Sequence, residues 1–273
     1  MAQSRVYPPA APGFRMSAAD EDAVAVPCRF VRGRNALLAA ADFGPVFMDC
    51  YLHLGRTQVV LAGGLDEKLK TLLACLALHA ATLPRAVTCA WTLHLESAAL
   101  NIFGVAENPT GRLVGRVLPG RVRPGGGNVL EAEVASAAGR IRRSAVDFAG
   151  DDILQAASGY YAHSEQRPAR FFELGGDKFA VIAAQPDCDV DWLAAVTLEE
   201  VGRLADDAEH APLETRHYRF DCGCTPERIA AAIKPALGPD LGEIFGEDTH
   251  LKVDCPRCGV THELSPEAFD PSA

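Results

Sequence analysis

Val87-Thr-Cys-Ala-Trp-Thr-Leu-His-Leu95 decides the fold. Apolar side chains at 87, 89, 91, 93 and 95 alternate with smaller or polar ones, the period of two that turns one face of a strand into a core. Four more short alternating runs follow: Ala99–Val105, Leu113–Leu118, Val129–Val134 and Ile141–Phe148. Between them stand Asn108-Pro-Thr-Gly111, Gly125-Gly-Gly-Asn128 and Ser136-Ala-Ala-Gly139, the turn chemistry of antiparallel hairpins. Upstream, Leu69, Leu72, Leu73, Leu76 and Ala80 share one face at helical spacing, which predicts a helix over Asp66–Leu83 that Pro84 stops. Downstream, Asp151 or Asp152 caps a helix to about Ser164, and Phe171–Leu174 and Phe179–Ala183 flank the turn Gly175-Gly-Asp177. Hairpins bracketed by helices predict an α+β body with a mainly antiparallel sheet, not a parallel nucleotide-binding sheet.

The 273 residues fit one large domain, or a medium one with a small satellite, and 48% apolar with 23% charged residues excludes wholesale disorder. No run approaches the roughly 20 uninterrupted apolar residues of a membrane span. The best stretch, Leu69–Leu83, is broken by Lys70, Thr71, His79 and Thr82. The first residues run into Pro8, Pro9 and Pro12 without an apolar signal core, so the expected compartment is the cytoplasm, with no membrane partner. Cysteines in a reducing compartment do not form a permanent disulfide framework. Cys28, Cys50, Cys75 and Cys89 read as buried inert thiols, and Cys188, in Gln185-Pro-Asp-Cys-Asp189, as part of an exposed turn.

Charge divides the chain. Residues 1–185 carry 19 basic and 17 acidic groups, residues 186–220 carry 3 against 9, and residues 221–273 carry 4 against 10. Three parts are expected: a body at 1–185, an acidic helical linker at 186–220 and a small C-terminal domain at 221–273. The acidity of the last third is repelled by phosphate backbones, which argues against nucleic acid as a partner. Within the linker, Thr197-Leu-Glu-Glu200 reads as a capping box, with Glu200 the reciprocal partner. Leu198, Val201 and Leu204 form an apolar stripe through which the linker is expected to dock.

Cys222-Gly223-Cys224 and Cys255-Pro256-Arg257-Cys258 are the strongest chemical signal. Two close thiolate pairs on two turns supply two edges of a tetrahedron, and four soft sulfurs select zinc. Gly223 and Gly259 give the knuckles backbone freedom. Thr225-Pro226-Glu227 starts a helix behind Cys224, with Ile229 and Ile233 on one face before Pro235 ends it. The terminal segment holds few large apolar side chains, so its folding is expected to depend on the metal. The close spacing within each pair also lets each close into a disulfide under oxidation and expel the metal, turning a structural site into a redox latch.

Together with Tyr160-Tyr-Ala-His-Ser-Glu-Gln-Arg-Pro-Ala-Arg170, this C-x-C and C-x-x-C set resembles the redox-regulated 33 kDa chaperonin family. The resemblance implies an ATP-independent holdase without chemical turnover or catalytic residues. In that family the reduced, zinc-bound protein is inactive. Oxidation closes the C-x-C and C-x-x-C disulfides, releases zinc, unfolds the small domain and linker, and exposes a surface that captures unfolding clients, typically as a homodimer. Carried over by motif, the zinc and redox residues are Cys222, Cys224, Cys255 and Cys258. The stretch from Ala184 to Cys222 is shorter than the family's linker and contains Cys188.

Two rival readings stay open: an interaction protein with a purely structural zinc domain, and a thiol oxidoreductase using Cys255 and Cys258. His94-Leu-Glu96 does not complete a zinc-deaminase pattern, because Asp254 rather than Pro precedes Cys255. No phosphate-binding loop is present. His79 reads as a core histidine; His262, four residues beyond Cys258, could replace a thiolate on the metal, but with four cysteines available it reads as a neighbour of the ligands or a solvent-facing side chain. Arg112, Arg116, Arg121, Arg123, Arg140, Arg142 and Arg143 cluster in the central strands and read first as ordinary solvated strand faces, or else as charges that orient the acidic segments over the body.

Overall fold

The computed structural model describes residues 23–96, 98–120, 126–207, 212–237, 245 and 249–269. In chain order the elements are β1 (Val24–Val31), β2 (Ala36–Asp42), α1 (Gly44–Arg56), α2 (Leu65–Ala81), β3 (Val87–Leu95), β4 (Leu100–Glu107), β5 (Arg112–Pro119), β6 (Asn128–Ser136), β7 (Ile141–Phe148) and α3 (Ile153–His163). There follow β8 (Ala169–Gly175), β9 (Lys178–Ala184), α4 (Val190–Ala195), α5 (Leu198–Asp206), β10 (Glu214–Phe220), α6 (Pro226–Leu237), β11 (Leu251–Asp254) and β12 (Thr261–Leu264). Ten strands form one sheet in the order β7-β6-β3-β4-β5-β10-β1-β2-β9-β8, and β11 pairs with β12 alone. Every pairing is antiparallel except β10 with β5, so the fold is α+β. Among the described residues no helix is long and apolar enough to cross a membrane.

The alternation of Val87–Leu95 is realised residue by residue: the odd positions are buried and the even ones half-buried on the opposite face. The odd positions meet α2, which is buried on nearly all sides from Leu69 to Ala81. Such a helix is the centre of a core, not its cover. Gly104 and Gly115 face each other across β4 and β5. A Cβ on Gly104 would lie 3.0 Å from Leu76, and one on Gly115 would lie 2.6 Å from the Phe103 carbonyl. Their missing side chains let α2 approach the sheet. Asp152 caps α3 by accepting from the Leu154 and Gln155 amides, and α3 packs against β8 and against β7 and β6 near the other edge. His79 is fully buried here, with Nδ1 2.9 Å from the Tyr161 hydroxyl, and burial lowers its pKa to about 3.

The outer face of the sheet carries two covers. Over β2, β9 and β8, the side chains of Leu38, Ile182 and Phe172 meet Leu193, Val196 and Val201 from the segment of α4 and α5. Over β4 and β5, Val105 and Val114 meet Ile229, Phe245, Leu264 and Phe269 together with three of the cysteines.

Several expectations change. The sequence reading places no element before Asp66, whereas β1, β2 and α1 lie there. The stretch read as a connector holds α4 as well as α5, and its last residues form β10, inside the sheet between β5 and β1. Thr197 caps α5 through the Glu200 amide, but the Glu200 carboxylate accepts from Trp192 Nε1 at 2.8 Å instead of closing the box. Of the expected stripe, Val201 is fully buried and Leu204 half-buried, while Leu198 is 51% exposed, because the first turn of α5 projects beyond the sheet-facing side. Pro235 does not end α6: it forfeits one backbone bond, but its φ is helical and the last turn runs on to Leu237. Cys188 is half-buried against the linker cluster rather than exposed.

Candidate metal centre

β10 delivers the first knuckle. The Asp221 amide donates to the Leu113 carbonyl at 3.0 Å, fixing the chain beside β5 immediately before Cys222. The Asp221 carboxylate then accepts from the Gly223 amide (2.9 Å) and from Arg112 Nε (2.9 Å). Gly223 has φ +60°, and a Cβ there would stand 2.4 Å from the Arg112 guanidinium, so glycine is required on both counts. Thr225 accepts the Arg228 amide and starts α6. The second knuckle joins β11 to β12: Cys255 donates its amide to the Val260 carbonyl at 2.8 Å, and the Gly259 amide returns to the Cys255 carbonyl at 2.9 Å.

The two knuckles bring Cys222, Cys224, Cys255 and Cys258 together, with all four Sγ atoms within 4.8 Å of one another. Cys222 Sγ lies 3.6 Å from Cys255 Sγ, and Cys224 Sγ lies 3.5 Å from Cys258 Sγ. A tetrahedron of metal–sulfur bonds of about 2.3 Å has edges of about 3.8 Å, so the cluster is sized for one such ion. Three of the thiols are buried and Cys224 is half-buried. The contact with the Cys258 sulfur, then burial, pushes the Cys222 thiol far above its usual range, and burial pushes Cys224 up to about 12. Sulfurs crowded this closely resist ionising on their own, and a divalent cation among them reverses that balance. The donor set fits a metal.

Side chains of the body grip the knuckles by their backbone. Arg116 Nη1 donates to the Cys255 carbonyl at 3.0 Å, and His53 Nε2 is 2.8 Å from the Cys258 carbonyl. Arg257, between the second pair of cysteines, meets Glu107 at 2.7 Å. His262 Nε2 lies 3.1 Å from Cys224 Sγ, as a neighbour of the ligand set. A cavity of about 450 Å³, walled among others by Asp49, His53, Arg56, Cys224 and His262, opens between α1 and the knuckles.

The arginine cluster divides. Arg112 and Arg116 hold the cysteine segment, Arg142 pairs with Glu165 and Arg143 with Glu133 within the body, and Arg140 is exposed. Arg121 and Arg123 lie outside the described residues. His53 and Glu107 were not singled out from the sequence. Neither belongs to a local motif, and each reaches the knuckles only through the packing of α1 and β4. Arg170 stands in the quoted motif, and its structural partners are the ends of α4: one guanidinium nitrogen donates to the carbonyls of Leu193 (3.1 Å), Ala194 (2.9 Å) and Val196 (2.8 Å).

Comparison with known proteins places this arrangement. The family model described as Hsp33 protein matches residues 190–265. The "33 kDa chaperonin" of Shigella flexneri is 25% identical over 159 residues, which cover 49% of this chain and 55% of that protein. The protein of the same name from Enterobacter sp. (strain 638) is 24% identical over 159 residues, covering 49% of this chain and 54% of the relative. The matches thus span about half the length of these curated relatives. The crystal structure of the 33 kDa chaperonin (heat shock protein 33 homolog) from Thermotoga maritima superposes with a TM-score of 0.66 at 14% identity, covering 90% of this chain and 96% of that one, and shares the fold.

Proposed function

Because this chain is a divergent member of the Hsp33 family, we propose that it is a redox-regulated, ATP-independent holdase chaperone of the cytoplasm, binding unfolded or misfolding proteins rather than turning over a substrate. The observation that carries this reading is the placement of the four sulfurs: they close the segment that covers Val105 and Val114 on the outer face of the sheet. Cys222, Cys224, Cys255 and Cys258 would hold zinc, which when bound neutralises thiolates and cross-links a segment with a small core of its own.

Oxidation by two equivalents of hydrogen peroxide would take two electrons from the thiolates of Cys222 and Cys224 and two from those of Cys255 and Cys258. Each pair forms one S–S bond, and each peroxide O–O bond is cleaved to two waters with uptake of two protons. The four sulfurs then hold no cation, and the cover loses its cross-link. Beside it on the same face runs a groove of about 670 Å³ lined by the apolar Ala90, Phe103 and Val105 together with the charged Glu131, Glu133 and Arg143. Release of the cover would add the apolar side chains it hides, Val105 and Val114 among them, to this mixed groove as a surface for clients. Signal transfer to the linker is supported by β10, whose parallel seam with β5 has only the pairs Arg219–Arg112 and Phe220–Leu113. The acidic last third disfavours nucleic acid, and the oxidised form is expected to be a homodimer.

Titration of the reduced protein with peroxide, reading zinc release, disulfide number by mass and suppression of client aggregation together, tests the reading. The expected result is one zinc per chain at the start, two disulfides at the end, and client capture that rises with zinc loss. Zinc loss without client capture would leave a structural metal site and refute the chaperone assignment.

A further inference from the structure

The cavity of about 450 Å³ between α1 and the knuckles is far larger than a peroxide requires. It lies within the size range of small-molecule sites, which begins at about 300 Å³. Its wall carries a nucleophile: Cys224 is the half-buried member of the four cysteines, its three companions being buried. His262 Nε2, on the same wall, lies 3.1 Å from the Cys224 sulfur. From α1, Asp49 and Arg56 wall the cavity as well. Two helical turns separate them, about 10 Å along the axis, and return them to one side of the helix. Neither has an ion-pair partner among the described residues. One anion, one cation and one sulfur nucleophile around a single cavity are the complement of a ligand that carries an ammonium, a carboxylate and an electrophilic sulfur.

We propose that this cavity is a binding and modification site for a small disulfide of amino-acid-derived thiols, with a carboxylate on Arg56, an ammonium on Asp49 and the sulfur–sulfur bond presented to Cys224. The Cys224 thiolate attacks one sulfur of the small disulfide RS–SR. A Cys224–SR bond forms, the S–S bond of the reagent breaks, and the departing thiolate takes the electron pair and then a proton from water. The Cys222 thiolate, which shares the cavity wall, then attacks the Cys224 sulfur, so that the Cys222–Cys224 bond forms and the second RS⁻ leaves. Two electrons pass from the two cysteines to one small disulfide, which ends as two thiols. Once thiolated, Cys224 has lost the anionic charge that a metal ligand needs, so the first step already opens the cluster. The centre thereby senses the balance of small disulfide to small thiol, not peroxide alone. This rests on the reading of the four cysteines as zinc-binding thiolates, and not on client capture.

Glutathione disulfide, cystamine and dithiodipropionate test the site, because they carry both end groups, only ammonium and only carboxylate. Each is mixed anaerobically with the reduced, zinc-loaded full chain, and zinc release and acid-quenched peptide masses are followed. Each rate is divided by that of the same reagent with free cysteine. With glutathione disulfide the rate should saturate with concentration and exceed the other two normalised rates about fivefold. The first modification should map to Cys224, as the mixed disulfide or joined to Cys222. Arg56→Gln and Asp49→Asn should each slow glutathione disulfide about fivefold while leaving hydrogen peroxide unaffected. Arg56→Gln should not slow cystamine, which has no carboxylate, and Asp49→Asn should not slow dithiodipropionate, which has no ammonium. Rates linear in concentration and equal among the three reagents overturn the proposal, as does a first modification at Cys188 or within Cys255 and Cys258. An equal fall in the peroxide rate overturns it too, since the substitutions then act on the sulfur cluster itself. Zinc release by peroxide without any reaction of glutathione disulfide refutes this site alone, whereas a reduced protein without zinc refutes the redox reading beneath it.

Discussion

The segment of α4 and α5 and the segment of the four cysteines cover the outer face of one sheet, the first over β2, β9 and β8, the second over β4 and β5. The linker cover is held by ordinary packing and by a side chain of the body: Val201, Leu193 and Val196 sit on Leu38, Ile182 and Phe172, and Arg170 clasps three carbonyls at the end of α4. Arg34 adds an ion pair with Asp189 and stacks over Trp192. The cysteine cover has a sulfur cluster at its centre and only a few polar grips on the body, from Arg112, Arg116, His53 and Glu107. The linker cover is stabilised mainly by apolar packing, with the single half-buried thiol of Cys188 at its margin, whereas the other cover is centred on four sulfurs suited to a metal. β10 joins them, so under the proposed mechanism loss of the second cover would reach the first through a strand of the sheet itself.

The largest effect that separates the two covers is metal withdrawal. Chelation of zinc under reducing conditions should unfold residues 221–269, because structural zinc contributes on the order of 10 kcal/mol to small domains. Hydrogen exchange should rise first there and leave the core around α2 unchanged. If β11 and β12 keep their protection after chelation, the cysteine cover is held by packing, and its contrast with the linker cover disappears.

Breaking the linker cover from its own side comes next. Val201→Asp buries an uncompensated carboxylate against Leu38 and Ile182 and should cost about 3 kcal/mol or more locally. Arg170→Ala removes the clasp on α4 and should cost about 2 kcal/mol. Both variants should expose residues 190–206 to protease while zinc stays bound, and both should bind clients to some degree without oxidant. Linker release with no client binding would assign the capture surface to the cysteine cover alone.

The comparison also separates what the sequence discloses from what it hides. Val87–Leu95 is legible because each buried position carries an apolar side chain, and the cysteine set because its ligands are neighbours in the chain. β10 is hidden because its inward positions include Arg216, buried with its charge met by Glu214 and its Nη2 donating to the Leu83 carbonyl. A hydropathy pattern cannot announce a strand that buries a guanidinium. β1 is obscured by Pro27 within its run, and β2 by alanines that give little periodic contrast. Leu198 misleads in the opposite direction: helical spacing puts it near the stripe of Val201 and Leu204, but which part of the stripe meets the sheet is fixed by tertiary packing. The grips of His53 and Glu107 are legible only once α1 and β4 are in place.

The smallest expected effect concerns the polar grips. Burial pushes the Glu107 carboxyl upward, but the Thr110 hydroxyl and the Arg257 guanidinium outweigh it and hold its pKa below the usual carboxylate value. A carboxylate whose pKa is lower in the attached state stabilises attachment above its free pKa, and that stabilisation is lost as pH falls through the attached-state value. Glu107→Gln keeps the shape and removes the charge, so at neutral pH it should loosen the second knuckle by about 1 kcal/mol. Amide exchange at Gly259 and Val260 reads this directly while zinc remains bound. The gap between variant and wild type should close as pH is lowered, because the wild-type carboxyl becomes neutral as well. A gap that persists in acid would assign the effect to shape rather than charge, and no gap at neutral pH would show that the sulfur cluster alone determines how firmly this cover sits.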